Sequence, residues 1–207
     1  MSTKRLRSRL DQKKGEKRQI EKKLETTNHN IDQLEKDIER GENAKDVVRT
    51  VALQTQQQLE YRIASTVSAA EYAVFEDPYS LNVEFNQRRG KTECDLLFKR
   101  DGYYRNPLAG SGYGAVDIAA FALRVACWSM SRKTLPVLVL DEPFKHLKGE
   151  AENRRAIDMV KEISNQLELQ IIMVSDERAP RDDIIEGADK VFLPEKKNGE
   201  SAIKEVE

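Results

Sequence analysis

The chain has 207 residues, 34% of them charged and only 6% aromatic, a balance too polar for one compact globule and suited to one domain plus a solvated arm. Net charge is −1, yet residues 1–23 hold ten Lys/Arg against three acids, and a basic end of this kind is either a solvated helical face or an attractor of phosphate backbones. Two cysteines in unrelated contexts, Cys94 and Cys127, argue against a disulfide framework and fit a reducing compartment, while the lack of a signal peptide or a membrane-length apolar run points to a cytoplasmic protein with no membrane partner.

Residues 1–40 carry a sustained heptad. Positions 6, 10, 13, 17, 20, 24, 27, 31, 34 and 38 alternate spacings of four and three, and seven of the ten are apolar (Leu6, Leu10, Ile20, Leu24, Ile31, Leu34, Ile38). That is a coiled-coil seam, interrupted by Lys13 and Lys17. Gly41-Glu42-Asn43 breaks the pattern, and Asn43 is placed to cap a second helix over about 44–75. The spacing predicts an arm over 1–75 with a break near 41–43, either folded back as a hairpin or continuing as one bent arm. Lys4, Arg5, Arg7 and Arg9, at its basic end, are the candidate DNA-binding residues.

Asp77-Pro78 ends the helical region, and the lobe, 76–207, is large enough for a core of its own. Strands are predicted over Ser80–Phe85 and Thr92–Phe98, joined through Gln87-Arg-Arg-Gly90, with a further turn at Asp101-Gly102. Ser111-Gly112-Tyr113-Gly114 then precedes a helix over about 115–131 that is apolar on nearly all sides and therefore expected to be buried. Small residues at a helix N-terminus expose backbone N–H groups to an anion, although the same residues also make a simple loop. On that helix Asp117 and Arg124 lie seven residues apart, hence on one face, as a buried ion pair or a coupling element.

Leu135-Pro-Val-Leu-Val-Leu-Asp-Glu-Pro143 reads as a short, fully buried strand ending in two acids. The carboxyl ends of parallel strands are where ligands bind. There Asp141 can hold Mg²⁺ and Glu142 can take a proton from an attacking water, the alternative being an exposed acidic turn. An amphipathic helix (about 150–167) and a second buried strand (Leu169–Val174) follow, an order that implies parallel strands with crossovers. Val191–Leu193 and Ala202–Val206 flank Asn198-Gly199, a hairpin signal.

Taken together, Ser111-Gly-Tyr-Gly-Ala-Val-Asp-Ile-Ala-Ala-Phe-Ala-Leu-Arg124, Leu138-Val-Leu-Asp-Glu-Pro143 and Ile171-Ile-Met-Val-Ser-Asp-Glu177 resemble the signature motif, Walker B motif and switch of the SMC / SbcC group of ABC-type ATPases. The closest likeness is to a phage-associated branch with a Ser-Gly-Gly-Gly signature. The resemblance covers 103–195 specifically. It implies an α/β, P-loop-NTPase-like carboxy-terminal lobe with parallel strands and a β-hairpin, preceded by a long coiled-coil arm. It further implies two heads sandwiching two ATPs with Mg²⁺: Ser111, Gly112, Tyr113 and Gly114 at the nucleotide of the partner head, Asp141 at the metal, Glu142 polarising water, Asp176 at the γ-phosphate sensor position, and Asp117 and Arg124 coupling nucleotide state to the coil.

The chain also departs from that group. It has no Walker A motif, for the glycine needed five residues before Gly90-Lys91-Thr92 is Phe85, and Lys91 is expected in an exposed hairpin turn. Asp176 stands where the group often has histidine, and an acid would repel a polyphosphate unless Mg²⁺ or a base intervenes; a one-residue deletion of the histidine is equally consistent. Tyr113 replaces a signature glycine, and His146 is either a surface residue or a substitute sensor. Two readings result. One is the carboxy-terminal half of an ATPase head that hydrolyses ATP only when completed by a Walker A-bearing chain or in a homo-oligomer, acting on DNA in repair or recombination, with a nuclease subunit as a further candidate partner, in the host cytoplasm if phage-encoded. The other is a non-catalytic coiled-coil scaffold that retains an ATPase-like lobe.

Overall fold

The structure is a computed structural model that describes residues 3–131, 135–175, 181–197 and 200–206. The chain divides into two compact units, Met1–Thr55 and Gln56–Glu207.

The first unit is helix alone, the greater part of α1 (Thr3–Val74, 72 residues). The break expected near 41–43 does not occur. Gly41 lies within α1, and nothing comes within 4 Å of the place its β-carbon would take. An interior glycine costs a helix only about 1 kcal/mol relative to alanine. That is too little to stop one flanked by Glu39, Arg40, Glu42, Ala44 and Lys45, all good helix formers. Asn43 therefore caps nothing, and both the hairpin and the capped second helix give way to a single continuous helix.

In the second unit the last turns of α1 become buried at Val67, Ala70, Glu71 and Val74. Three antiparallel strands follow, β1 (Ser80–Arg88), β2 (Lys91–Arg100) and β3 (Tyr103–Arg105), in the order β1-β2-β3. Arg88 pairs with Lys91 across the turn Arg89-Gly90, whose φ angles are +52° and +74°. Positive φ at both central residues is the tight hairpin geometry, so Lys91 sits at an exposed hairpin end, as expected. The short β3 lies beyond the expected Asp101-Gly102 turn. The sheet's inner residues, Leu81, Val83 and Phe98, join Val67 and Val74 of α1 in the core. Leu81 N–H donates to Ser68 Oγ at 2.8 Å, tying β1 to the end of α1.

After a short 3-10 turn (Pro107–Ala109) come α2 (Tyr113–Met130), β4 (Val137–Asp141), α3 (Glu150–Leu167), β5 (Gln170–Val174), α4 (Arg181–Gly187), and the antiparallel pair β6 (Val191–Lys197) and β7 (Glu200–Val206). The turn pair Asn198-Gly199 lies outside the described residues. α2 buries Ile118, Phe121, Ala122 and Val125, but Arg124 and Cys127 are exposed, so it is enclosed on one side and not all round. Arg155 of α3 donates from Nε to the Val74 carbonyl at 2.6 Å and so fixes the end of α1.

β4 and β5 pair in parallel with α3 as the crossover, and among the described residues they are the only parallel pair. Neither strand is fully buried, contrary to expectation. Leu138, Leu140, Ile171 and Met173 face the core. Their neighbours on the opposite face do not: Val139 is 70% exposed, Ile172 49% and Val174 55%. An apolar run reads as a strand covered on both faces, but here the second cover is not among the described residues.

Candidate functional site at the end of β4

The register of β4 and β5 decides where the two acids go. Asp141 pairs with Val174 and Val139 with Ile172. Side chains alternate faces along a strand, so Asp141 lies on the same open face as Val137 and Val139. Glu142, just past the strand, adopts φ +41°. A non-glycine residue there stores about 1–2 kcal/mol of backbone strain. The Glu142 N–H donates to the Val174 carbonyl at 2.9 Å, and its own carbonyl accepts from Lys145 N–H at 3.3 Å. The strained residue is thus pinned at the ends of both strands, which turns its side chain out of the alternation that places Asp141. Both acids are exposed.

The glycine-rich loop is built by capping. Asn106 Oδ1 accepts from Leu108 N–H at 2.9 Å and starts the 3-10 turn. Ser111 Oγ donates to the Pro107 carbonyl, so its hydroxyl is engaged within its own loop. Gly112 takes φ +84°, ψ 134° at the N-cap of α2 and offers no side-chain cap. Only glycine adopts that conformation without strain. The first N–H groups of α2, from Tyr113 onward, face outward as a helix N-terminus does. Tyr113 is exposed and its ring lies 5.1 Å from that of His146.

The anticipated Asp117–Arg124 pair is not formed. Asp117 instead holds His146: its Oδ2 accepts from the His146 backbone N–H at 2.9 Å and lies 3.1 Å from Nδ1. Arg124 points to solvent. Geometry explains the choice. Residues seven apart on a helix are two turns, roughly 10 Å, from each other, whereas the chain leaving β4 folds directly onto the first turns of α2. Phe144 packs edge-on against Phe121 with centroids 5.6 Å apart, Leu147 is buried, and a β-carbon on Gly114 would stand 3.4 Å from the His146 carbonyl. The segment 143–149 therefore clasps the glycine-rich loop to the strand that carries the acids. The Asp117–His146 contact spans 29 residues, and no local sequence pattern announces it; the only signal was a histidine close behind the two acids.

Asp176 lies outside the described residues. Lys4, Arg5, Arg7 and Arg9 are exposed on the first turns of α1. Among the described residues no group of three or more His, Cys, Asp or Glu is arranged to hold a metal, and no helix is long and apolar enough to cross a membrane. Mg²⁺ at a nucleotide needs only one or two carboxylates beside phosphate oxygens and water, a requirement that exposed Asp141 fits.

No protein-family model matches the chain, nor does any curated protein. Solved structures do. One comes from work on ATP-driven dimerization and DNA-stimulated activation of SMC ATPases: TM-score 0.56, 21% identity, covering 74% of this chain and 89% of that one. An Smc head bound to the C-winged helix domain of ScpA gives 0.58 at 21% identity, over 76% of this chain and 45% of that one. An Smc head with coiled coil and joint, derived from Pyrococcus yayanosii, gives 0.58 at 22%, over 77% of this chain and 28% of that one. The chain thus spans less than half the length of the latter two. At such identities the likeness is one of fold: a mixed α/β lobe with a long N-terminal helix, built like part of an Smc head domain.

Proposed function

We propose that the chain is the carboxy-terminal half of an SMC-type ATPase head, with residues 76–207 as the lobe, 1–75 as its coiled-coil arm, and the Walker A half supplied by another chain. The observation that supports this most is the open face of β4–β5. Its apolar residues require a cover, and Asp141 stands on that same face. A polypeptide that covers Val139, Ile172 and Val174 would bring whatever nucleotide it holds to Asp141.

Bound Mg²⁺-ATP would supply the phosphoryl group that passes to water. In this reading Asp141 holds the metal, and Glu142, exposed and turned out of the strand, takes the proton from the attacking water. Asp176 takes the sensor position in this reading. Ser111, Gly112, Tyr113 and Gly114 present backbone N–H groups to the nucleotide of a second head, and the Ser111 hydroxyl joins them only by releasing the Pro107 carbonyl. Asp117 serves the loop by holding His146, and Arg124 is free to face the arm or a partner. The likeness of Ser111-Gly-Tyr-Gly114 to a Ser-Gly-Gly-Gly signature supports the SbcC-like, phage-associated branch, and with it work on DNA ends in a cytoplasm, a nuclease subunit as a candidate associate, and Lys4, Arg5, Arg7 and Arg9 as DNA contacts.

The test is reconstitution with the Walker A-bearing polypeptide of the same locus. The chain alone should bind ATP very weakly, and the assembly should hydrolyse it. Glu142→Gln should lower turnover by about 10²-fold or more, the scale of a lost general base, without loss of assembly. Unchanged hydrolysis would remove the catalytic assignment and leave the scaffold reading.

A further inference from the structure

α1 carries an apolar seam that no described residue covers. Leu6, Leu10, Ile20, Leu24, Ile31, Leu34 and Ile38 recur at heptad spacing on one unbroken helix, and all are exposed. In water such a strip is covered by another helix. The charges along it identify which. Residues 1–23 hold ten basic and three acidic side chains, a net of +7. Residues 24–46 hold three basic (Lys36, Arg40, Lys45) and seven acidic ones, a net of −4.

We propose that the arm pairs with a second copy of itself in antiparallel orientation, about a two-fold axis at residue 22. The basic first segment of each helix then lies along the acidic second segment of the other. In this register all ten seam positions find a partner: 6 with 38, 10 with 34, 13 with 31, 17 with 27 and 20 with 24. The layers Leu6–Ile38, Leu10–Leu34 and Ile20–Leu24 are wholly apolar. Lys13 falls beside Ile31 and Lys17 beside Thr27, where their stems cover the seam and their ammonium groups reach water. At the flanks Arg7 meets Glu35 and Arg9 meets Asp37. Among the described residues Arg7, Arg9 and Glu35 make no ion pair, and Asp37 holds Arg40 at 2.7 Å on the exposed surface. The cost lies at the axis, where Glu21 and Lys23 each meet their own copy.

A parallel pair is the poorer solution. It would stack Lys13 on Lys13 and Lys17 on Lys17 inside the seam, and would lay the +7 segment against its like. The pairing is that of the chain by itself and uses residues 6–38 only, so it does not rest on the ATPase reading; a Walker A-bearing chain that offers its own helix to this seam, or DNA at Arg7 and Arg9, would compete with it.

Sedimentation velocity on the full chain should show a dimer at micromolar concentration that loosens with salt. In a background of Cys94→Ser and Cys127→Ser, chains carrying Leu10→Cys should form disulfides with chains carrying Leu34→Cys, and neither should link to itself. Arg7→Glu with Arg9→Glu should weaken the dimer by roughly tenfold or more at low salt. Adding Glu35→Arg and Asp37→Arg to that chain should restore it. The proposal is overturned by a chain that stays monomeric, by Leu10→Cys linking to itself, or by a fourfold variant that remains as weak as the double one.

Discussion

Two of the lobe's small sheets have outer faces that differ in kind. The antiparallel sheet β1-β2-β3 packs Leu81, Val83 and Phe98 inward and turns Asn82, Glu84 and Asn86 outward, and its outer face is closed by polar pairs such as Arg88 Nη2 to Asp95 Oδ2 at 2.7 Å. The parallel sheet β4–β5 packs Leu138, Leu140, Ile171 and Met173 inward and turns Val139, Ile172 and Val174 outward, with no such cover among the described residues. Antiparallel sheets commonly show one face to water and are polar there, whereas parallel sheets are normally covered on both sides. The first sheet is finished as it stands. The second carries the residues of a covered sheet, and its cover is not among the described residues.

The sharpest break of this comparison is a pair of substitutions. Phe98, fully enclosed under the first sheet, should cost about 3–5 kcal/mol on Phe98→Ala. Val139→Thr on the open face of the second should change stability by no more than about 0.5 kcal/mol. Chemical denaturation of both variants measures the two. A large cost at Val139 in the isolated chain would mean that the face is already covered.

Next in size is the acid enclosed beside the first sheet. Glu71 is fully buried and neither carboxylate oxygen makes a hydrogen bond of normal geometry. Loss of solvent raises its pKa to about 8, against a smaller opposing effect of the Tyr79 backbone N–H. The folded state therefore keeps a proton that the unfolded chain sheds near the ordinary value of 4.5. Its contribution to stability is greatest below that value, falls as pH rises, and levels off beyond about 8. Glu71→Gln should flatten this slope, with a gain on the order of 2 kcal/mol at pH 8 and little change at pH 5. Thermal melts across that range check it, and a slope unchanged by the substitution would exonerate Glu71.

The smallest effect concerns the strained end of the second sheet. Glu142→Gly should relieve the positive φ and stabilise the chain by about 1 kcal/mol, while removing the acid. A stability gain joined to lost turnover would mark Glu142 as a place where strain is held for a purpose. A loss of stability would show that its side chain, rather than its backbone, sustains the turn.

Much of this was legible in the sequence. The heptad, the hairpin at Arg88–Lys91 and the alternation of strand, helix and strand around Asp141-Glu142 all depend on local periodicity and turn chemistry, which a sequence displays directly. Gly41 was misread because a residue that weakens a helix does not by itself end one. The open face was misread because Val-Leu-Val-Leu is the same string whether one face is covered or two; the cover is a property of what stands opposite. Asp117–His146 escaped for a similar reason. Its partners lie on different elements, and the pairing follows from how Phe144 and Leu147 dock on α2.

The open parallel sheet also bears on supply. Among the described residues β4 and β5 each pair only with the other, so their outer edges carry unpaired backbone groups next to exposed valine and isoleucine. Such an edge invites strand addition from other chains. If the second chain proposed above is that cover, a cell making more of this polypeptide than of it would accumulate a sticky surplus, prey to aggregation and proteolysis. Matched synthesis of the two, from neighbouring or coupled messages, would then be a condition of the protein's survival as much as of its activity.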